Sequence, residues 1–249
     1  MRYFFNISYK GTDYHGWQKQ SKDRSVQEVI EEHLSTVLRS DHQIVGSGRT
    51  DTGVHARQQC FHVDIQNKID PDQLKNKLNS FLPNDISILS IRQVKHQAHA
   101  RFDAISRSYE YLIIREKNPF LNDFAYRFSS ELSLIEMNKA ANSMMGIHDF
   151  ECFSRVKTDV KNFICEVNEA HWVEYHDSGI LKFRISANRF LRGMVRAIVG
   201  TLLDIGEGRM KTEEIKVILK SRDRKKAGRA VPAKGLYLTK IVYPTSLFV

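Results

Sequence analysis

Apolar and polar positions alternate from the start of the chain. Tyr3, Phe5, Ile7 and Tyr9 are separated by Asn6 and Ser8, a period of two that predicts a strand. Ser25 and Glu28 form a capping box. It opens a helix with Val26, Val29, Ile30, Leu34, Val37 and Leu38 on one face. A short strand is expected at 44–45, then a glycine-rich loop, then a strand around 61–65. Asp70 followed by Pro71 starts a second helix with Leu74, Leu78 and Phe81 inward. A turn at 82–85 leads to a strand at 86–94. The order is β-α-β-β-α-β, the ferredoxin-like pattern.

The pattern then recurs. Residues 107–115 predict a strand, and Ser133 with Glu136 caps a helix expected to run to Gly146. Segments 166–175 and 180–187 predict a hairpin over the turn at 176–179. An amphipathic helix carries Phe190, Leu191, Met194, Val195, Ile198, Leu202 and Leu203. A further helix begins near Thr212, and 236–242 predicts the last strand. The expected class is α+β: two ferredoxin-like halves with mainly antiparallel sheet, residues 1–105 and 106–249.

At 249 residues the chain can bury a large core without disulfides or a structural metal. Its three cysteines, Cys60, Cys152 and Cys165, form no CxxC pair and are expected to be idle thiols in a reducing compartment. No apolar run approaches the roughly 20 residues of a membrane span, and the first residues lack a signal-peptide pattern. A cytoplasmic location without membrane contact is therefore expected.

The formal net charge is +9, which favours a polyanion partner. Lys220, Arg222, Arg224, Lys225, Lys226, Arg229 and Lys234 share their segment with one acid, Asp223. Arg184, Arg189, Arg192 and Arg196 form a second basic cluster. Phe190 and Tyr237 lie among these cations, as stacking on RNA bases requires. Each cluster taken alone also reads as solvated surface charge.

The most informative stretch is GSGRTDTGVHAR, residues 46–57. Its glycines permit a loop that presents one side chain, and Asp51 sits between Arg49, Thr50 and Thr52. On spacing alone the aspartate could equally cap an ordinary turn. The Gly-x-x-x-x-Gly-Lys phosphate loop is absent.

The string GRTDTGVHA, residues 48–56, closely resembles the active-site motif of the TruA family of tRNA pseudouridine synthases. Further blocks resemble that family in order: YKGTDYHGWQ (9–18), SVQ (25–27), HARF (99–102) with RSYEY (107–111), GIHDF (146–150), FLRGMVR (190–196) with Gly200, and PAKGLYL (232–238). Thr52 stands where alanine is common in the family. The resemblance implies the pseudouridine synthase fold, with an active-site cleft between the halves. It implies that Asp51 is the catalytic aspartate, Arg196 its basic partner and Tyr109 the tyrosine against the target base. Arg49 would fill the space left by the flipped nucleotide, and Leu236 would be an apolar substrate contact. Read without the family, Tyr109 beside Tyr111 on a strand could be core, and Arg196 with Arg189 and Arg192 a solvated helix stripe.

The implied reaction breaks the C1′–N1 bond of uridine, turns the base and joins C5 to C1′. It needs no redox step, group donor or metal, so no cofactor and no metal are expected. His96 and His99 are three apart but have no Cys or acidic cluster beside them. A carboxylate could attack C1′, attack C6, or remove a ribose proton. An arginine at about 4 Å would favour the ionised carboxylate by roughly 4 kcal/mol at an effective dielectric of 20. RNA contacts are expected from Arg189, Arg192, Lys225, Lys226 and Arg229. The family further implies tRNA as partner, uridines 38, 39 and 40 of the anticodon stem-loop as targets, and a homodimer. The competing expectation is a non-catalytic RNA-binding protein with two RNA-recognition-like halves, although no RNP-type aromatic string is present.

Overall fold

In the computed structural model, which describes residues 1–156 and 160–249, the N-terminal alternation forms β1 (Arg2–Tyr9). Phe4, out of phase with Tyr3 and Phe5, is buried too. Its ring meets Tyr243 at 4.9 Å and Phe248 at 6.2 Å, edge-on, so the C-terminal residues cover the second face of β1. Helix α1 (Val26–Leu38) begins where the capping box predicts, with the Ser25 hydroxyl accepting from the Glu28 N–H at 3.3 Å. β2 (Val45–Gly46) is short, and β3 (His55–Asp64) starts inside the glycine-rich motif, earlier than the apolar pattern suggests. Helix α2 (Pro71–Phe81) is capped by Asp70, which accepts from two backbone N–H groups. Leu74 and Leu78 face inward, but Phe81, at the last position of the helix, is 56% exposed. β4 (Ile86–Val94) completes the set.

β1 lies between β4 and β3, antiparallel to both, and β2 adds to the far edge of β3. That is the ferredoxin-like order. Phe5 and Phe61 are cross-strand partners whose rings stack at 4.8 Å, and Trp17 packs 6.2 Å from Phe61.

The second repeat starts with β5 (Ser106–Ile114), with β6 (Tyr126–Arg127) parallel beside it. Helix α3 (Leu134–Asn142) stops four residues before Gly146, which has φ +90° and starts β7 (Gly146–Asp149) instead of ending the helix. β8 (Ile164–Tyr175) and β9 (Ile180–Ala187) form the expected hairpin, closed by Gly179 at φ +62°. The strands run β5-β9-β8-β7, antiparallel throughout. Helix α4 (Met194–Gly206) begins later than its apolar pattern suggests, after Gly193 at φ +74°. Phe190 and Leu191 precede it. Only Arg196 and Asp204 of α4 escape burial, so this is a core helix rather than an amphipathic one. Helix α5 (Glu214–Ser221) follows.

The last strand, β10 (Leu236–Val242), pairs in parallel with β3, Tyr237 opposite His55 and Leu238 opposite Ala56. The chain accordingly divides into Met1–Ile105 with Tyr237–Val249, and Ser106–Leu236. Residues 237–249, expected in a second half spanning 106–249, fold with the first. All three cysteines are buried, and burial pushes their thiols up to about 12 (Cys60), 12 (Cys152) and 11 (Cys165).

Candidate active site

Residues 47–54 form the loop between β2 and β3, and the N-terminal block holds it in place. Thr50 is buried, with its hydroxyl 2.8 Å from the Tyr9 hydroxyl and its carbonyl accepting from the Trp17 N–H at 3.2 Å. The Gly53 N–H donates to the Tyr14 carbonyl at 3.3 Å. Ser47 bonds the buried Gln59, whose amide in turn donates to the Gly48 carbonyl at 3.0 Å. Gly16, at φ +82°, comes so close that a Cβ there would lie 2.3 Å from the Thr50 carbonyl oxygen. These two blocks are thus one piece of structure. Asp51 sits half-buried at its centre, its carbonyl accepting from the Val54 N–H at 3.1 Å in a tight turn. Arg49, two residues away, is exposed.

The end of the motif is structural. His55 is buried, accepts from the Gly11 N–H at 3.1 Å and stacks on Tyr237 at 4.8 Å. Arg57 lies 5.3 Å from the centre of the Tyr237 ring. Burial pushes the Tyr237 hydroxyl up to about 12.

The block at 99–102 is also structural. His99 Nδ1 accepts from the N–H groups of Arg101 and Phe102, while the His99 N–H donates to Asp103. His62 Nδ1 accepts from the Ala100 N–H at 3.1 Å. His99 is therefore occupied in a turn. Among the described residues, no group of three or more His, Cys, Asp or Glu side chains is placed to hold a metal.

In the Ser106–Leu236 unit, Tyr109 lies on β5 opposite Ile185 of β9. It is half-exposed and meets Phe190 edge-to-face at 5.1 Å. Tyr111, two residues on, is the core tyrosine: fully buried, with its hydroxyl donating to the Pro232 carbonyl at 2.8 Å. Arg196 stands in the first turn of α4, half-exposed, and its Nε donates to the Val231 carbonyl at 2.7 Å. Arg189 and Arg192 precede the helix, so the expected helical stripe of Arg189, Arg192 and Arg196 does not exist. Gly193 breaks the period between them. Arg192 is exposed and Arg189 half-buried.

The distal basic segment divides by role. Arg222 is ion-paired with Asp149 at 3.0 Å, and Arg224 donates to the carbonyls of Ala227 and Gly228. Lys225, Lys226 and Arg229 are exposed. The chain at 228–229 lies directly on α4, where a Cβ on Gly200 would fall 1.7 Å from the Arg229 carbonyl oxygen. Leu236 is buried, at 6% exposure.

A family model described as tRNA pseudouridine synthase matches residues 6–103 and 140–244. The chain belongs to the tRNA pseudouridine synthase family. This is an isomerase family, and relatives from several bacteria carry the same name. A tRNA pseudouridine synthase A of Bacteroides thetaiotaomicron is 44% identical over 99% of this chain and 92% of its own length. That of Porphyromonas gingivalis is 43% identical over 99% of both chains, and that of Bacillus subtilis 39% over 98% and 99%. Sequence reasoning about this synthase missed why its N-terminal block accompanies the aspartate motif. The signal was Gly11 and Gly16: at Gly11 a Cβ would lie 2.0 Å from the Val54 carbonyl oxygen.

Proposed function

We infer that this protein isomerises uridine to pseudouridine in tRNA, at positions 38, 39 and 40 of the anticodon stem-loop, with Asp51 as the catalytic carboxylate. The observation that carries this reading is the loop itself. In a chain of this family, it presents Asp51 from a scaffold whose neighbours Thr50 and Val54 are buried while Asp51 is only half-buried. A carboxylate so held can reach a substrate without rearrangement of the core.

Tyr109 is proposed to face the target base. Its ring meets Phe190 edge-to-face at 5.1 Å, and it is only half-buried. Arg196 is proposed as the basic residue of the reaction, its guanidinium orientation set by the Val231 carbonyl. Taking the target base out of its stack costs a few kcal/mol. Arg49, exposed beside Asp51, is proposed to offset part of that cost by occupying the vacated space. Arg189, Arg192, Lys225, Lys226 and Arg229 are proposed phosphate contacts, and Leu236 an apolar substrate contact. The proposed working form is a cytoplasmic homodimer that needs no cofactor.

The test is tritium release from tRNA carrying [5-³H]uridine, comparing the parent with Asp51→Ala. Isomerisation must expel the C5 hydrogen, so release by the parent and none by the variant is expected. A parent that binds tRNA but releases nothing would make the protein a binding module. Release by both would remove Asp51 from the reaction. A transcript lacking uridine at 38, 39 and 40 should give no release.

A further inference from the structure

The loop around Asp51 alternates between held and presented residues. Ser47 and Thr50 are buried, whereas Arg49 is exposed and Asp51 half-buried. The buried residues are held from outside the loop. The Ser47 N–H donates to the Cys60 carbonyl at 2.7 Å, and the Ser47 hydroxyl donates to Gln59 Oε1. Thr50 is held twice. Its carbonyl accepts from the Trp17 N–H, and its Oγ1 lies 2.8 Å from the Tyr9 hydroxyl.

Both holders of Thr50 are fixed in the core. Trp17 is buried, its carbonyl accepts from the Gln27 N–H of α1 at 3.0 Å, and a Cβ on Gly46 would fall 2.3 Å from its Nε1. Its ring lies 6.3 Å from that of Tyr9. Tyr9 is buried at the end of β1, opposite Ala56 of β3. Packing alone does not call for two hydroxyls here. Phenylalanine and valine would fill the same space, and replacing both members of a buried polar pair by apolar groups of one shape can be nearly neutral for stability. What a hydrogen bond adds is direction. It sets the angle at which the Thr50 side chain meets β1, and so the course of the backbone that enters Asp51. A reacting group carried on a loop depends on such a supporting shell for its precision.

We propose that Tyr9 is a positioning residue for the isomerisation: its hydroxyl, acting through Thr50, aims the Asp51 carboxylate. This rests on the reading of Asp51 as the reacting carboxylate.

The experiment measures single-turnover tritium release from tRNA carrying [5-³H]uridine at saturating enzyme, together with tRNA affinity and urea unfolding. The proteins are the parent, Tyr9→Phe, Thr50→Val, the double variant of these two, and Thr50→Ser. The rate constant should fall on the order of 10- to 100-fold in Tyr9→Phe and in Thr50→Val, with tRNA affinity unchanged. The double variant should be as slow as either single one, because the same bond is lost in all three. Its urea midpoint should stay near that of the parent. Thr50→Ser restores the hydroxyl and should regain the parental rate. A merely structural bond would lower the urea midpoint and the active fraction but leave the rate constant of the folded enzyme at the parental value, which would overturn the proposal. So would losses that multiply in the double variant, or a slow Tyr9→Phe beside a parental Thr50→Val, since the tyrosine would then act by another contact. Should Tyr9→Phe fold poorly, Thr50→Val and the double variant carry the same comparison. A parent that releases nothing, or an Asp51→Ala variant that releases as much as the parent, ends the reading of Asp51 and this proposal with it. A silent Asp51→Ala beside Tyr9 and Thr50 variants of parental rate ends this proposal alone.

Discussion

His62 is pushed down to about 4, first by burial and then by the Arg2 and His99 charges around it. Its neutral Nδ1 accepts from the Ala100 N–H, a bond that protonation would break. An unfolded chain binds this proton at about 6.5, so stability is complete above that pH and is lost as pH falls towards 4. The loss amounts to at most about 3 kcal/mol. Urea unfolding at pH 7 and pH 5 should show the decline, and His62→Asn, which keeps an acceptor but does not titrate, should flatten it. An undiminished decline in that variant would point to another group. Tyr109 is expected to behave differently. Tyr109→Phe keeps the ring contact with Phe190 and removes only the hydroxyl. If the hydroxyl helps remove the C5 proton, single-turnover tritium release should fall on the order of 10²-fold. An unchanged rate would leave Tyr109 with a packing role against the base. The exposure that separates Tyr109 from Tyr111 was not readable from their alternation, because both point to the same side of β5 and only their surroundings differ.

Helix α4 and the chain laid across it form the element on which the second basic region depends. The Thr201 hydroxyl accepts from the Gly228 N–H at 2.8 Å and donates to the Ala197 carbonyl at 2.9 Å. Thr201→Val keeps the shape but leaves a buried N–H unpaired, and should cost about 1–3 kcal/mol in urea unfolding. Gly200→Ala should cost about as much or more, since the Arg229 backbone must move away from the new methyl group. A variant as stable as the parent would show that this crossing is loose. Capping signals placed the starts of α1, α2 and α3 because they are local: a side chain bonds a backbone group two or three residues on. The starts and ends that the pattern misplaced are glycine-controlled. Gly193 begins α4 after Phe190 and Leu191, and Gly146 begins a strand rather than closing α3. Apolar periodicity cannot register a change of φ sign at a residue without a side chain.

Across the whole molecule, the +9 charge is divided between structural and surface cations. Arg2 is paired with Asp64, Arg184 with Glu110 and Arg222 with Asp149, whereas Lys225, Lys226 and Arg229 face solvent. Replacing the last three together by alanine should weaken tRNA binding and flatten its salt slope by about 2 to 3. Arg222→Ala should leave the slope nearly unchanged and act on stability. Filter binding across a salt series decides this, and a parental slope in the triple variant would remove these residues from the RNA surface. By itself the sequence determined the order of the longer helices and strands, though not β6 or β7, and with it the family and the aspartate loop, because periodicity, caps and an ordered set of motifs are properties of neighbours along the chain. Tertiary structure alone decided that 237–249 fold with the first 105 residues and that Gly11 and Gly16 clamp the Asp51 loop. It also decided which arginines are spent on carboxylates and carbonyls. Each of these joins residues far apart in sequence, where close approach of backbone, burial and charge pairing depend on what the folded chain places alongside.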